Sequence, residues 1–180
     1  RLRIEIGIDS TVKKPLIDKL KLNKSFNYDI DSSYKFKIDY TKSIDLNIYQ
    51  LLNDICNSKI RSMIFTFNEN EHSKKKFSAA TELYIDNNLE EQGYFLFDNI
   101  KLNGCRESIF LTNKSIYWKN PWSSCNFIFY KDITSLDVDE KKLIINDDFI
   151  SITSIPSHFH EDFKDLIISV INIIKAMTIS

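Results

Sequence analysis

Seven short apolar runs, separated by turn-forming pairs, constrain the fold of residues 94–152 more than any other feature of the chain. The runs are 94–97, 108–111, 115–119, 126–130, 134–138, 142–145 and 149–152. Pairs such as Asn113-Lys114 and Asp147-Asp148 lie between them and are typical of tight turns. Connections this short leave no room for crossover helices, so the pattern predicts an antiparallel β-meander. The side chains predicted to lie inside are Ile109, Leu111, Ile116, Ile128, Ile144 and Ile152.

A long helix is predicted to follow these strands. Ser157 is placed as its N-cap, Glu161 and Asp162 in its first turn, and Lys175 in its last, as the helix dipole favours. An apolar stripe at helical spacing supplies one buried face. The stripe is formed by Phe159, Phe163, Leu166, Ile167, Val170, Ile174 and Met177.

Four isoleucines of this helix segment lie outside that stripe. They are Ile168, Ile171, Ile173 and Ile179. Exposed isoleucine would form a sticky patch, so we expect the helix to be covered on a second side. The cover is either the amino-terminal segment or another copy of the chain, and Ile168 and Ile171 are candidate contacts.

The amino-terminal part has a different texture. Alternating residues predict strands at 1–8, 25–30, 34–39 and 44–46, and helical spacing predicts a helix at 48–60. A strand is predicted at 63–67 and a helix at 77–89. The polar run 68–76 is the best boundary candidate. We therefore divide the chain into an α/β segment (1–67), a polar linker with a helix (68–92) and a carboxy-terminal domain (93–180).

Three stretches of the carboxy-terminal domain carry a family resemblance. Residues 107–120 read ESIFLTNKSIYWKN, residues 127–133 read FIFYKDI, and residues 143–146 read LIIN. A Leu-Thr-turn-Ile-Tyr hairpin, followed by a strand ending in Tyr-x-Asp-Ile, resembles the bacterial pleckstrin-homology-like (PH-like) family over about residues 94–175. Ser108 departs from it, because relatives are expected to carry Gly there.

The resemblance implies an α+β fold in which a PH-like antiparallel β-barrel is closed by the carboxy-terminal helix. It also implies a non-enzymatic module that mediates protein or ligand contacts. It does not imply a particular ligand, because such barrels host many functions.

A weaker internal similarity leaves two interpretations of the amino-terminal segment open. Residues 28–46, followed by a helix, parallel residues 136–153, also followed by a helix. Either the segment is part of a second PH-like copy, or it is an unrelated α/β cap.

Charge and composition restrict the class of partner. The chain has 24 Lys and Arg against 25 Asp and Glu, a net charge of −1. This balance argues against nucleic acid as a partner and disfavours contact with an anionic membrane surface. The longest apolar stretch, 166–177, is too short to span a bilayer. Three cysteines without CxxC spacing indicate reduced thiols, and no secretory signal pattern is visible. We therefore expect a cytoplasmic protein.

No residue pattern indicates catalysis, a cofactor or a metal. His158 and His160 lack the paired-ligand spacing of zinc sites. The acidic residues Asp132, Asp137, Asp139 and Glu140, with nearby lysines, are similar to the cluster of metal-dependent nucleases, but residues 139–141 are better explained as a turn. A small metal-dependent nuclease is therefore a minor alternative.

The candidate partner contacts lie in the loops and turns of the predicted barrel. Trp122 follows Asn120-Pro121 in a loop, and a loop tryptophan is suited to a binding hot spot. Lys101, Arg106, Lys114 and Lys119 lie where eukaryotic PH relatives hold phosphoinositide headgroups. We predict a protein–protein adaptor or a self-associating module, with phosphoinositide or anionic lipid headgroup binding as the main alternative.

Overall fold

Antiparallel sheets and helices make up the described part of the chain, which places the protein in the α+β class. The computed structural model describes residues 37–178 apart from residues 57, 68, 86–89, 100–104 and 106. The strands predicted at 1–8 and 25–30, and the beginning of the strand predicted at 34–39, lie outside the described residues. Residues 37–39 belong to no strand.

The elements occur in the following order. The helices are α1 (Ile44–Ile55), α2 (Ser58–Arg61), α3 (Glu71–Tyr84) and α4 (His160–Thr178). The strands are β1 (Ile64–Thr66), β2 (Gly93–Asp98), β3 (Ser108–Thr112), β4 (Ser115–Lys119), β5 (Cys125–Phe129), β6 (Leu136–Asp139), β7 (Lys142–Ile145) and β8 (Asp148–Ser151). Short 3-10 turns occupy Tyr130–Asp132 and Ser157–Phe159.

The predicted meander is confirmed. All seven predicted runs are strands, with bounds that differ from the prediction by two residues or fewer. Every pairing is antiparallel, in a first sheet of order β1-β2-β3-β4-β5 and a second sheet of order β6-β7-β8. The strand predicted at 63–67 forms β1 and pairs with β2 at the edge of the first sheet.

The expected closed barrel is not found in the described residues, because β5 and β6 do not pair. The chain leaves β5 through a 3-10 turn. The backbone N–H groups of Thr134 and Ser135 then donate to the side-chain oxygen of Asn146, at 2.8 and 3.1 Å. These bonds continue the contact between β6 and β7 beyond the end of their ladder, and they hold the segment that connects the two sheets.

Helices cover both faces of the first sheet. On one face, Phe77, Ala80 and Tyr84 of α3 share a buried cluster with Phe110 and Tyr117. The other face carries a cross-strand row formed by Phe97, Ile109 and Trp118. The centroid of the Phe97 ring is 4.8 Å from that of the Phe163 ring in α4. Double coverage explains why these strands are continuously apolar instead of alternating.

Four of the six predicted inside residues are buried and two are not. Ile109, Leu111, Ile116 and Ile152 are buried. Ile144 is half-buried because it lies opposite the exposed Asp137 and Phe149, on the outer face of the second sheet. Ile128 is half-buried because β5 is the last strand of the first sheet. A continuous apolar run does not reveal which alternate side chains face inward.

Helix α3 begins at Glu71, inside the polar run, and not at residue 77 as predicted. Asn70 caps it by accepting a hydrogen bond from the Ser73 N–H at 2.9 Å. Lys76, also in the polar run, forms an ion pair with the buried carboxylate of Asp98 in β2 at 2.5 Å. The polar residues therefore make the first turns of the helix, and Lys76 ties that helix to the sheet.

A second polar contact and one glycine fix α3 against the sheet. The Tyr84 hydroxyl lies 2.7 Å from the Ser108 hydroxyl and donates to the Cys105 carbonyl, and burial raises the pKa of Tyr84 well above its usual value. Ser108, which departs from the family resemblance, is thus a structural contact. A side chain on Gly93 would meet the Phe110 ring at 2.2 Å, so the close approach of these residues requires glycine.

The strand predicted at 44–46 is wrong, because these residues form the first turn of α1. Ser43 caps the helix, with its Oγ accepting from the Leu46 N–H at 3.3 Å. The buried side chain of Asn47 accepts from the Asp39 N–H at 2.8 Å and donates to the Ser43 carbonyl at 3.0 Å. Residues 44–46, the third strand of the proposed internal repeat, are therefore helical, which weakens the parallel with residues 136–153.

Helix α4 is covered on a second side, as expected. Its additional isoleucines Ile168, Ile171 and Ile173 are buried, and α1 packs against it. The Asn47 amide lies 3.5 Å from the sulfur of Met177 at the end of α4. The cover is therefore part of the amino-terminal segment. The predicted N-cap is wrong: Ser157 begins a 3-10 turn that leads into the helix, and that turn has no side-chain cap.

Substituting aspartate for Ile171, which is 3 % exposed, tests this packing. We expect the free energy of unfolding to fall by more than about 3 kcal/mol, because an unpaired charge would be buried. Urea unfolding monitored by circular dichroism measures the change. The matched control is Asn172→Asp on the exposed side of the same turn, where a change within about 0.5 kcal/mol is expected. Wild-type stability of Ile171→Asp would contradict the packing.

Candidate interaction surface

The connection between β4 and β5 is a tight turn closed by three hydrogen bonds. The Ser123 N–H donates to the Asn120 carbonyl at 3.2 Å, and the Asn120 N–H donates to the Ser123 Oγ at 3.1 Å. The Ser123 hydroxyl also donates to the Asn120 carbonyl at 3.0 Å. Pro121 occupies the second position, where its fixed φ suits a tight turn. The loop is therefore held in one conformation by its own residues.

Trp122 occupies the third position of this turn with a φ of 61°. That conformation favours glycine, and a bulky side chain adopts it at a cost of about 1–2 kcal/mol. The side chain is 105 % exposed, so no packing contact offsets the cost. Backbone strain under a fully exposed tryptophan is more typical of a binding residue than of a structural one.

The turn is also attached to the second sheet. The Asn120 side-chain amide donates to the Phe149 carbonyl at 2.8 Å, and its oxygen accepts from the Ser151 N–H at 2.7 Å. Asn120 thus satisfies two backbone groups of β8 in the manner of a neighbouring strand. This pair of hydrogen bonds places the Trp122 turn beside β8.

Further exposed aromatic side chains lie on the strands that border the turn. Phe149 of β8 is 45 % exposed, and the Lys142 ammonium lies 5.0 Å from its ring centroid. Phe127 of β5 is 51 % exposed and stacks on the buried Tyr117 ring at 5.4 Å. We call Trp122, Phe127 and Phe149 the aromatic surface. Exposed aromatic residues are enriched at protein interfaces.

The structure describes two of the four predicted basic residues, Lys114 and Lys119, and it does not bring these two together. Lys101 and Arg106 lie outside the described residues. Lys114 and Lys119 flank opposite ends of β4, which separates them by about 16 Å at ~3.3 Å per residue. Lys114 is exposed and donates to the Glu90 carbonyl at 3.2 Å, whereas Lys119 is half-buried. These two lysines do not form one anion-binding cluster.

The two isoleucines predicted as partner contacts are inside the fold. Ile168 and Ile171 are both buried on α4. Their burial follows from the second cover that the helix receives from α1. Neither side chain is open to a partner in this conformation.

The acidic and histidine residues are dispersed. Asp139, Glu140 and Lys141 are exposed and lie at the β6–β7 turn, as the turn interpretation predicted. His160 is buried at the start of α4, where its Nε2 lies 2.9 Å from the Ile155 carbonyl, and His158 is exposed. Within the described residues, no three His, Cys, Asp or Glu side chains are grouped as metal ligands.

One cavity of about 430 Å³ lies away from the aromatic surface. Its described lining is Ser43, Asp45, Leu46, Tyr49, Thr66 and Glu69. Arg61 pairs with Glu69 at 2.6 Å, and its guanidinium lies 5.5 Å from the Tyr49 ring centroid. Arg61 thus neutralises Glu69, one of the two carboxylates of the lining.

A polar cluster joins the segment before β2 to the β3–β4 hairpin. The Glu91 carboxylate accepts hydrogen bonds from the hydroxyls of Thr112 and Ser115. The Tyr130 hydroxyl donates to the Thr112 carbonyl at 2.7 Å. Burial, and then the charge of Glu91, raise the pKa of Tyr117 to about 12. The cluster anchors backbone segments and keeps the tyrosines neutral.

No protein-family model, curated protein or solved structure matches this chain. Among the described helices, none has the length and apolar character needed to cross a bilayer.

Sequence reasoning missed two members of the aromatic surface, Phe127 and Phe149. It also missed the role of Asn120, which attaches the Trp122 turn to β8. Both phenylalanines lie in apolar strands and were not distinguished from core residues. The cross-strand partners could have distinguished Phe149 from a core residue, since Phe149 pairs with Ile144, and Ile144 in turn faces Asp137. Asn120 was assigned only to a turn, because its contacts to β8 depend on the packing of two sheets.

Replacing Trp122 with glycine should leave the fold as stable or make it more stable. Relief of the positive φ contributes about 1–2 kcal/mol, while the greater freedom of unfolded glycine subtracts about 0.5–1 kcal/mol. We expect an unfolding free energy between unchanged and about 1 kcal/mol higher, measured by urea titration. The control is Trp118→Ala, at 2 % exposure, which should cost about 3–5 kcal/mol. Marked destabilisation by Trp122→Gly would show that the side chain is structural.

Thiol reactivity should separate the three free cysteines. Burial raises the pKa of Cys56 and of Cys105 to about 11, so at pH 8 about 0.1 % of each is thiolate. Cys125 is exposed on β5. Alkylation of the native protein with iodoacetamide, followed by peptide mass spectrometry, should modify Cys125 first, and Cys125→Ser should remove the fast phase. Equal rates at Cys105 would contradict the burial.

Proposed function

We propose that this chain is a non-catalytic PH-like module that binds another protein inside a bacterial cell through its aromatic surface. The order of strands supports the PH-like assignment. A four-stranded meander (β2 to β5), a three-stranded meander (β6 to β8) and a terminal helix follow one another, as the family resemblance implies. The additional strand β1 and helix α3 extend that arrangement on one side.

Trp122 is the single observation that carries the proposal. Its side chain is fully exposed, its backbone is strained, and three turn hydrogen bonds with the Asn120 contacts to β8 hold it in place. A tryptophan on a pre-ordered turn binds at a low entropic cost, because the backbone of that turn does not have to be ordered on association. Phe127 and Phe149, on the strands that border the turn, add exposed apolar area.

A protein is favoured over an anionic lipid headgroup as partner. Recognition of a phosphorylated headgroup requires several cationic groups converging on one anion. Lys114 and Lys119 diverge along β4, and the net charge of −1 provides no general attraction to an anionic bilayer.

Affinity capture from a lysate of the source cell tests the proposal. Wild-type protein should retain a specific partner, and Trp122→Ala should reduce its recovery at least tenfold while leaving the melting temperature unchanged. The matched control is Tyr40→Ala, which removes another exposed aromatic side chain (56 %) outside the aromatic surface and should have no effect. Equal recovery with wild type and Trp122→Ala would contradict the proposed contact.

Two further assays address the alternatives. Sedimentation with phosphatidylcholine vesicles containing phosphatidylserine or a phosphoinositide should leave the protein in the supernatant. Incubation of single- and double-stranded DNA or RNA with the protein and Mg²⁺ should give no cleavage. Vesicle binding that is lost in Lys114→Glu would favour lipid headgroup binding over the adaptor function. Cleavage that is lost in Glu140→Ala would favour the metal-dependent nuclease.

A further inference from the structure

The outer edge of β5 is an unpaired strand edge among the described residues. β5 is the last strand of the first sheet, and it pairs with β4 on its inner side. The Tyr130 N–H donates to the Lys114 carbonyl at 3.0 Å, which identifies that pair as hydrogen-bonded. Because such pairs alternate along an antiparallel ladder, the backbone groups of Cys125, Phe127 and Phe129 point away from β4. The edge therefore presents three donor and acceptor pairs.

Within the strand itself this edge lacks the usual protection against strand addition, and the nearest lysine is Lys131, which follows β5 and lies 5.5 Å from the Phe129 ring centroid. Natural edge strands carry lysine, proline or a bulge, or are very short. β5 has the sequence Cys-Asn-Phe-Ile-Phe, with no charge and no proline, and it pairs with β4 over all five residues without a shift in register. The opposite edge of the sheet, β1, has only three residues.

We infer that the edge of β5 pairs with the edge of β5 from a second copy of this chain. The strand fits its own antiparallel copy when the two-fold axis passes through its middle residue, Phe127. Phe127 then lies opposite Phe127 of the other copy, and Cys125 lies opposite Phe129. All outward backbone groups are satisfied in this register, and no like charges face each other.

Side chains on the same sheet face favour this register. Phe110, Tyr117 and Phe127 form a cross-strand row in each copy, and Phe127, at the open end of the row, is 51 % exposed. The two-fold axis joins the rows into one and buries both exposed Phe127 surfaces. The half-exposed Phe127 at the centre of this uncharged edge is best buried by an equally apolar edge, which favours a second copy as the occupant.

The contact is small, so the dimer is concentration-dependent. Two half-exposed phenylalanines contribute roughly 200 Å² at about 200 Å² per full side chain, and five-residue strand edges add a few hundred more. The sum stays below the ~1,200 Å² of standard interfaces, which indicates a weak association. Because the Trp122 turn precedes β5, the dimer carries one such turn at each end of the paired strands. The dimer buries Phe127, one member of the aromatic surface, and leaves Trp122 and Phe149 open, so the inference does not depend on the function proposed for Trp122.

A disulfide trap tests the register. Directly opposed residues in a hydrogen-bonded pair are about 5.5 Å apart at Cα, a separation that a disulfide spans. In Phe129→Cys, mild oxidation should link the introduced thiol of one copy to Cys125 of the other, as identified by peptide mass spectrometry. The matched control, Ile128→Cys, places a thiol on the opposite face and should give less than a tenth of the cross-linked product. Adding Cys125→Ser to Phe129→Cys should abolish it.

Sedimentation equilibrium of the full chain between about 10 and 500 μM tests the association. Wild type should show a dimer, and Phe127→Lys should weaken it at least tenfold, because two lysines would meet at the axis. The matched control is Phe149→Lys, the same change at an exposed phenylalanine away from the edge, which should leave the dimer unchanged. Trp122→Ala should also leave it unchanged, which separates a failure of this inference from a failure of the proposed function.

Several results would overturn the inference. A wild-type monomer at every concentration, combined with no cross-link in Phe129→Cys, excludes the second copy. Slow amide exchange of Phe127 and Phe129 in that monomer would show that another part of the chain covers the edge. Wild-type dimerisation of a folded Phe127→Lys would place the interface elsewhere. If Phe127→Lys fails to fold, the cross-linking of Phe129→Cys against Ile128→Cys decides.

Discussion

Burial of the first sheet on both faces is the constraint on which the rest of the structure depends. The central strands carry apolar side chains at consecutive positions, so one covering layer cannot remove them from water. Helix α3 covers the face of Phe110, and helix α4 covers the face of Phe97. Helix α4 is itself apolar on more than one side and requires α1 as a further cover. The elements before residue 93 are thus part of the same hydrophobic arrangement as the meander.

The double cover ends at β5, the last strand of the first sheet. Tyr117 is beneath α3, whereas Phe127 beside it is half-exposed. The β4–β5 turn projects Trp122 from the same region, and Asn120 fastens that turn to the second sheet. Trp122 and Phe127 are therefore exposed at the end of the first sheet where the helical cover stops. An adaptor with a pre-ordered contact residue and an open strand edge is consistent with this distribution.

Local patterns predicted the elements from residue 93 onward well, and they predicted the earlier ones less well. The runs around Ile116 and Leu143 became strands because turn pairs with strong preferences separate them. Residues 44–46 failed as a strand, because an apolar-polar-apolar triplet fits either a strand or the first turn of a capped helix. The helix predicted from Phe77 begins earlier, at Glu71, because helix N-termini and loops are both rich in polar residues and a polar run does not distinguish them.

The sequence by itself determined the antiparallel meander, the terminal helix and the helix's need for a second cover, because these follow from periodicity and turn chemistry within short segments. Only the tertiary structure decided which alternate side chain of a strand faces inward, as Ile144 and Phe149 show. It also decided that α1 supplies the second cover, and that the lysines around β4 diverge. These outcomes depend on contacts between residues far apart in the chain, and no local pattern encodes which partner will be present.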